Sequence, residues 1–208
     1  MKKHLYTLVF GLIFCVSATG QNELTPSPYF EDNQFLVSWD IAFPMGDYLD
    51  ETSFSGFRFE YRKFIDKNWA WGISTGWNSY SQKLDQQLYQ TPDGGQAIFT
   101  DMIRTVFELP ITVNGYYFLD QIGKFKPYAG LGLGTLYSRQ EAFFNIYIIE
   151  ENNWGFLARP EVGFHYELEY SMGLQAYAAY SYATNKNDGL GIDSLQHISF
   201  GVGAYWSY

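Results

Sequence analysis

The sequence predicts an all-β fold, an eight-stranded antiparallel transmembrane β-barrel of the up-and-down type. Three observations predict it. Eight runs of apolar residues alternate with polar or small residues at a period of two, which is the pattern of strands with one apolar face. Aromatic residues make up 20% of the chain and charged residues only 17%. The connections between the runs alternate in length, as in barrels with long loops at one rim and short turns at the other.

The chain begins with a predicted secretory signal peptide, residues 1–20. A basic start and an apolar stretch from Leu5 to Val16 are followed by small residues before Gln21, which is the usual three-part organisation of such a signal. The single cysteine, Cys15, leaves with it, so the mature chain is predicted to hold neither a disulfide nor a thiolate metal site. The predicted domains after cleavage are a short periplasmic segment, residues 21–33, and the barrel, residues 34–208.

The eight runs follow one another at short intervals. In the last run the even positions, from Ile198 to Tyr208, are all apolar or aromatic, whereas the odd positions include His197, Ser199 and Gly201. The same division into two faces recurs in every run, which predicts strands whose two faces meet different surroundings. The apolar faces of the runs are Phe35–Phe43, Phe57–Tyr61, Trp71–Trp77, Ile103–Val113, Ala129–Tyr137, Phe156–Tyr166, Leu174–Tyr182 and Ile198–Tyr208.

The polar faces carry charges of both signs in balance, which predicts that they line an enclosed lumen where each charge needs a partner. The apolar faces often end in Trp or Tyr, as do lipid-facing strands at the two membrane interfaces. The alternative is a soluble barrel or sandwich, whose apolar face points inward. The predicted lumen network consists of Asp40, Arg58, Glu60, Arg62, Arg104, Glu108, Arg159 and Glu161.

Eight strands enclose only enough room for their own side chains, so this network is predicted to form a polar plug, with a conducting path as the alternative. The sequence predicts no catalytic residue, no cofactor and no metal site. A formal net charge of -9 with only 13 basic residues argues against nucleic acid as a partner.

Four long connections are predicted on one rim and three short ones on the other. An even number of strands places both termini on the side of the short turns. The third long connection contains an apolar stretch, Phe143, Phe144, Ile146, Tyr147, Ile148 and Ile149. We expect either that the hairpin extends beyond the membrane or that this patch meets a partner. The long connections are residues 46–53, 81–101, 139–153 and 184–194, and the short ones are 65–68, 118–125 and 168–171.

Three stretches carry a resemblance to a known family. Pro127–Gly134 has glycine at every second position, Gly203–Tyr208 has the spacing of a C-terminal β-signal, and Gln21 follows the predicted cleavage site. With these features the chain resembles the small outer-membrane β-barrels of Gram-negative bacteria, the group of OmpX, OmpW and the OmpA transmembrane region. Within that group it looks most like the compact barrels of Bacteroidota.

The resemblance implies a place in the outer membrane, with long loops extracellular and both termini periplasmic. It also implies that Gly203, Trp206 and Tyr208 form the signal recognised by the barrel assembly machinery. Outer-membrane lipid and lipopolysaccharide are then the implied surroundings, and other outer-membrane proteins are candidate partners. The resemblance is one of architecture and leaves the activity open.

The predicted function is a non-enzymatic barrel with a plugged lumen that serves envelope structure, surface interaction or an outer-membrane complex. The first alternative is a narrow transport path for small, including apolar, molecules in the manner of OmpW. A remote alternative is a lipid A-modifying hydrolase, because His197 and Ser199 resemble the H-x-S pair of lipid A deacylases. Against it, Phe200 stands where that family has Asn, and both side chains are predicted to face the lumen.

Overall fold

A computed structural model of the chain describes residues 32–46, 48–90, 97–169 and 171–208. The predicted signal peptide, residues 1–20, and nearly all of the predicted segment 21–33 lie outside the described residues. No helix in the described ranges is long and apolar enough to cross a membrane.

The described chain forms the eight predicted strands in one closed sheet. Each strand pairs antiparallel with the next, and the last pairs with the first, so the predicted fold class is confirmed. The strands are β1 (Asn33–Pro44), β2 (Ser53–Phe64), β3 (Trp69–Gln90), β4 (Ala97–Phe118), β5 (Phe125–Phe144), β6 (Tyr147–Glu169), β7 (Met172–Ala183) and β8 (Leu195–Ser207).

Closure between β1 and β8 is continuous, from Gln34 opposite Ser207 to Pro44 opposite His197. The chain ends add to it, because the Tyr208 amide donates to the Asn33 carbonyl at 2.9 Å. A closed sheet leaves no unpaired strand edge within the ring, and this is the condition for a sheet to cross a membrane.

The strands are joined by short turns at one end of the barrel, here called the turn end. Residues 65–68 connect β2 to β3, residues 119–124 connect β4 to β5, and residues 170–171 connect β6 to β7. These connections agree with the sequence prediction to within two residues. The opposite end, where the other four connections lie, is called the hairpin end.

Two of the predicted long loops are instead strands. β3 and β4 stay paired as far as Gln90 and Ala97, and β5 and β6 stay paired up to the two-residue turn Asn145–Ile146. Asn145 has a positive φ of 53°, which asparagine tolerates better than most residues. The expectation of an irregular loop is therefore wrong for residues 81–90 and 97–101, whereas over 139–153 the structure shows the extended hairpin that was one of the two alternatives.

The physical reason for this extension is that the alternation of side chains continues past the barrel. Leu84, Met102 and Phe144 point to one side and pack together with Ala142, whereas Lys83 on the other side is exposed and paired with Asp101. The four strands β3 to β6 consequently form one sheet that rises beyond the shorter strands, and we call this part the sheet extension.

The two remaining connections of the hairpin end, residues 45–52 and 184–194, fold over the barrel mouth. Leu49 from the first and Ile192 from the second are buried against inward residues of the wall such as Val106, Leu136 and Leu157. The barrel interior is therefore covered by an apolar layer at its hairpin end.

Candidate functional site

The interior of the barrel holds a compact cluster of six charged side chains, three arginines and three carboxylates. They are all buried. The ionic charges cancel within the cluster, so no net charge is left in the low-dielectric interior, where an unpaired ion is costly. The members are Asp40, Arg58, Glu60, Arg62, Arg159 and Glu161.

Two contacts of this cluster cross the full width of the lumen. Arg58 Nη1 on β2 lies 2.5 Å from Glu161 Oε2 on β6, and Arg62 Nη1 on β2 lies 2.9 Å from His165 Nε2 on β6. Because β2 and β6 are four strands apart in a ring of eight, these contacts join opposite walls. The lumen is thus bridged by side chains at two successive levels.

The remaining ion pairs link the cluster around the wall. Glu60 pairs with both neighbouring arginines on its own strand: Oε2 forms an ion pair with Arg58 Nη2 at 2.7 Å, and Oε1 accepts a hydrogen bond from Arg62 Nε at 3.0 Å. Arg159 Nη2 lies 3.2 Å from Asp40 Oδ2. Charged hydrogen bonds of this kind are stronger than neutral ones, so the arrangement fixes the cluster in one geometry.

Tyrosine hydroxyls complete the hydrogen bonding of the cluster. Tyr128 donates to Glu161 Oε1 at 2.8 Å, Tyr177 donates to Asp40 Oδ1, and Tyr116 accepts from Arg58 Nη2 at 2.8 Å. The predicted lumen network included neither Tyr116 nor His165. Both could have been found from the alternation of side chains along a strand, because each lies an even number of positions from a predicted lumen residue and so shares its inward face.

Each of these tyrosine rings lies over a glycine of the adjacent strand. A Cβ atom at these glycines would overlap the ring, so glycine is required here because of space, not because of backbone conformation. The pairs are Tyr116 with Gly130, Tyr128 with Gly163, Tyr177 with Gly201 and, nearer the turn end, Tyr205 with Gly173.

An aromatic layer closes the lumen on the turn side of the cluster. Phe64, Phe118 and Tyr128 pack together there, and the His165 ring stacks on Tyr205 with centroids 4.4 Å apart. The charged cluster is therefore enclosed between this aromatic layer and the apolar layer at the hairpin end.

Arg104 does not belong to the cluster, contrary to the prediction. It lies on the sheet extension, where Nη1 donates to the Tyr48 carbonyl at 3.0 Å and the guanidinium lies 4.6 Å from the Tyr48 ring centroid. Burial raises the pKa of Tyr48 to about 12, although Arg104 opposes that shift. Arg104 shares the inward face of β4, but β4 is longer than predicted, so this position falls beyond the barrel and anchors the connection after β1.

Glu108 is also separate from the arginines. It is 2% exposed, and Oε2 lies 3.4 Å from His197 Nδ1 on β8. Oε2 makes no hydrogen bond with any described residue. Ser199, the other member of the H-x-S pair, is completely buried and lies 3.5 Å from Arg159 Nη2.

Glu108 reaches the inner end of a cavity at the barrel mouth, which we call the mouth cavity. Its volume is about 290 Å³, and it lies between the connection after β1 and the connection before β8. Met45 and Asp193 at its rim are exposed, whereas Tyr80 and Val106 are buried. The cavity therefore runs from the surface of the hairpin end down to a buried carboxylate.

The outer surface of the barrel is the reverse of its interior. Many large apolar side chains of the strands are exposed, for example Ile73 (48%), Val113 (60%) and Leu131 (49%). Tryptophans lie toward both strand ends, including Trp69 at the turn end and Trp154 at the hairpin end. A barrel with charges in its interior and aliphatic side chains on its outer surface would be unfavourable in water, but this arrangement suits a barrel that is surrounded by lipid.

The predicted C-terminal signal lies in the closing strand. Gly203 faces β1, where a Cβ would overlap the Val37 carbonyl, whereas Trp206 and Tyr208 are exposed.

The predicted apolar patch divides between two faces of the sheet extension. Phe144, Tyr147 and Ile149 pack into the inner cluster, and the exposed side chains are Ile146 and Ile148. Phe143, which pairs with Ile148, is half-buried.

Taken together, the closed eight-stranded ring, the polar lumen and the apolar exterior define a transmembrane β-barrel of eight strands, the fold of small outer-membrane barrel proteins. No protein-family model matches the sequence, and no curated protein matches it. Among solved structures, the chain is similar to Neisserial surface protein A, with 14% identity and a TM-score of 0.56 over 85% of this chain and 97% of that one. It is also similar to Ail, the attachment invasion locus protein of Yersinia pestis, with 12% identity and a TM-score of 0.52 over 86% and 100% of the two chains.

At these identities the likeness concerns the fold alone. It confirms the predicted architecture, an eight-stranded antiparallel barrel of the kind that small outer-membrane proteins have. The more specific resemblance to barrels of Bacteroidota stays a prediction.

Proposed function

We propose that the protein is a non-enzymatic integral outer-membrane barrel whose lumen is plugged and whose sheet extension is presented outside the cell. In this proposal both termini are periplasmic, and the protein serves envelope structure, surface interaction or a membrane complex. The observation that carries the proposal is the pair of contacts across the lumen, Arg58 to Glu161 and Arg62 to His165. Side chains that join opposite walls at two levels leave an eight-stranded barrel without a continuous water path.

Conductance in a planar lipid bilayer tests the plug. The wild-type barrel is expected to insert without producing channel events. The control is a variant in which the crossing side chains are shortened, Arg58→Ser with Glu161→Ser, which keeps the charge balance and opens space. Steady conductance from the wild type, at the level of the double variant, would contradict a plugged lumen.

A narrow transport path is the second candidate, and the mouth cavity is the observation that favours it. The charged cluster and the aromatic layer lie between this cavity and the turn end, so passage along the barrel axis would require them to move. For charged solutes, the same conductance measurement distinguishes a plugged barrel from a transport path. For uncharged solutes, which carry no current, uptake into proteoliposomes makes the same distinction.

The hydrolase alternative is not proposed. A serine nucleophile requires a histidine that accepts its proton and access to the substrate. Ser199 is fully buried and faces Arg159, and the described contacts of His197 are with Glu108 and Tyr80. Neither side chain faces the exterior, where a lipid substrate would lie.

A further inference from the structure

The mouth cavity combines apolar walls with a carboxylate at its inner end. Leu49, Tyr80 and Val106 line it, and Glu108 is the buried charged residue. Among the described residues that line the cavity there is no lysine, arginine or histidine, and Asp193 adds a second carboxylate at the rim. The only ionisable side chains of the lining besides the two tyrosines are therefore carboxyl groups, which favour a cation over an anion as the ligand.

The Glu108 carboxylate has spare capacity to accept hydrogen bonds. Oε2 makes no hydrogen bond of good geometry with a described residue. Its neighbours are the Tyr80 hydroxyl, in the cavity lining, and His197 Nδ1 at 3.4 Å, which is outside that lining. Arg104, on the same strand, donates to the Tyr48 carbonyl instead. A buried carboxylate gains strongly from a partner that carries both a donor and a positive charge.

The dimensions of the cavity restrict what this partner can be. About 290 Å³ is at the lower end of the range for small-molecule sites. That volume suits a body of a single ring or a short chain. The rings of Tyr48 and Tyr80 in the lining add aromatic faces that favour both an apolar body and a nearby cation.

We propose that the mouth cavity binds a small organic ammonium ion, a primary amine attached to an apolar or aromatic body. The ammonium group donates to Glu108 Oε2, and the body packs against Leu49, Tyr80 and Val106. The site opens at the hairpin end. It goes beyond the proposed function and does not depend on it, because a cavity at the barrel mouth can bind a ligand whether or not the lumen conducts.

The test is a titration of the full barrel in lipid nanodiscs with benzylamine, followed by calorimetry, with empty nanodiscs as the blank. Benzyl alcohol supplies the same body without the charge, and benzoate supplies the opposite charge. The variant is Glu108→Gln, which keeps the shape of the side chain and removes its charge. The matched control is Glu150→Gln, which removes an exposed carboxylate from the sheet extension.

We expect the wild type to bind benzylamine more tightly than benzyl alcohol and benzoate. The dissociation constant should rise about tenfold or more in Glu108→Gln and change by less than about twofold in Glu150→Gln. Equal affinity in the wild type and Glu108→Gln, benzoate binding as tight as that of benzylamine, or no signal above empty nanodiscs would each overturn the proposal.

A second variant decides the question if Glu108→Gln does not fold. Ser194→Trp places a large ring in the cavity lining on a connection outside the strands, so it obstructs the cavity without changing a residue of a strand. Loss of benzylamine binding in this variant supports the site, and unchanged binding overturns it.

Discussion

At the scale of single residues, the lumen is organised by tyrosines that lie over glycines. Tyr177 is the most connected of them, since it hydrogen-bonds both Asp40 and Ser38 while its ring covers Gly201. A larger residue at Gly201 would displace the ring and with it the partner of Asp40. The glycines of the inward faces are therefore part of the packing of the charged cluster, since each leaves the room that a tyrosine ring occupies.

Gly201→Ala is expected to destabilise the barrel by about 1–3 kcal/mol, the usual cost of overpacking a tight interior. The control is Gly115→Ala, because a Cβ there has no atom within 4 Å. The measurement is the temperature at which the folded band disappears on unboiled gels. Equal midpoints for the two variants would show that the ring over Gly201 moves without cost.

Glu161→Gln is expected to lower stability by about 3 kcal/mol or more, because it leaves the buried Arg58 without its partner across the lumen. Removing both charges, Arg58→Gln with Glu161→Gln, should cost less than the single change, since no uncompensated ion remains. Urea unfolding in detergent measures both. A double variant less stable than Glu161→Gln would contradict the argument that the charges are retained as a pair.

At the scale of elements, the alternation of apolar and polar residues predicts the strands and their faces, but it does not predict where a strand leaves the membrane. The eight runs and the division of each into an inward and an outward face were found from the sequence. An extended hairpin was one of the two alternatives for the apolar stretch of β5 and β6. The β3–β4 part of the sheet extension was missed because its polar residues, such as Lys83 and Asp101, look like a loop. Its inward positions, Leu84 and Met102, pack only against one another across strands, and such pairing is not visible along a single run.

The same limit explains the charged residues that the sequence misplaced. The alternation of side chains along β4 placed Arg104 and Glu108 correctly on its inward face. The height of each residue along the barrel depends on the stagger of neighbouring strands, which a single sequence does not contain. The mouth cavity was also not predicted, because it is formed by two connections that are about 140 residues apart in the chain.

Shortening the sheet extension should leave the barrel intact. Ser138 and Asn153 face each other across β5 and β6, so a two-residue Asn-Gly turn can join them and replace residues 139–152. The shortened protein is expected to keep its fast-running unboiled band. The control removes Gly132 and Leu133 from the barrel part of β5, which should abolish that band by shifting the register. Loss of the band in the shortened protein would show that the extension is needed for closure.

At the scale of the whole molecule, the distribution of polarity is inverted relative to a soluble protein. Charged residues such as Arg62 are completely buried, whereas aliphatic residues between the two aromatic zones are among the most exposed. A soluble barrel with an apolar core would place these same residues on opposite sides of its wall. This distribution of polarity is therefore stable only with lipid around the barrel.

Val113→Arg tests this dependence, because Val113 is 60% exposed in the aliphatic zone. In water such a change would be nearly neutral, but in lipid it should cost about 2–4 kcal/mol. The control is Leu88→Arg, at a position that is 67% exposed on the sheet extension, which should change little. Folding yields into phospholipid vesicles measure the effect, and equal yields for the two variants would count against a lipid-facing surface.

The most direct test of the central claim is a gel that compares boiled and unboiled samples of the protein extracted from purified outer membranes. A closed barrel in that membrane predicts a faster-running unboiled band in the outer-membrane fraction. Recovery of the protein in the soluble periplasm, with no difference between the two samples, would contradict both the location and the inverted arrangement of its faces.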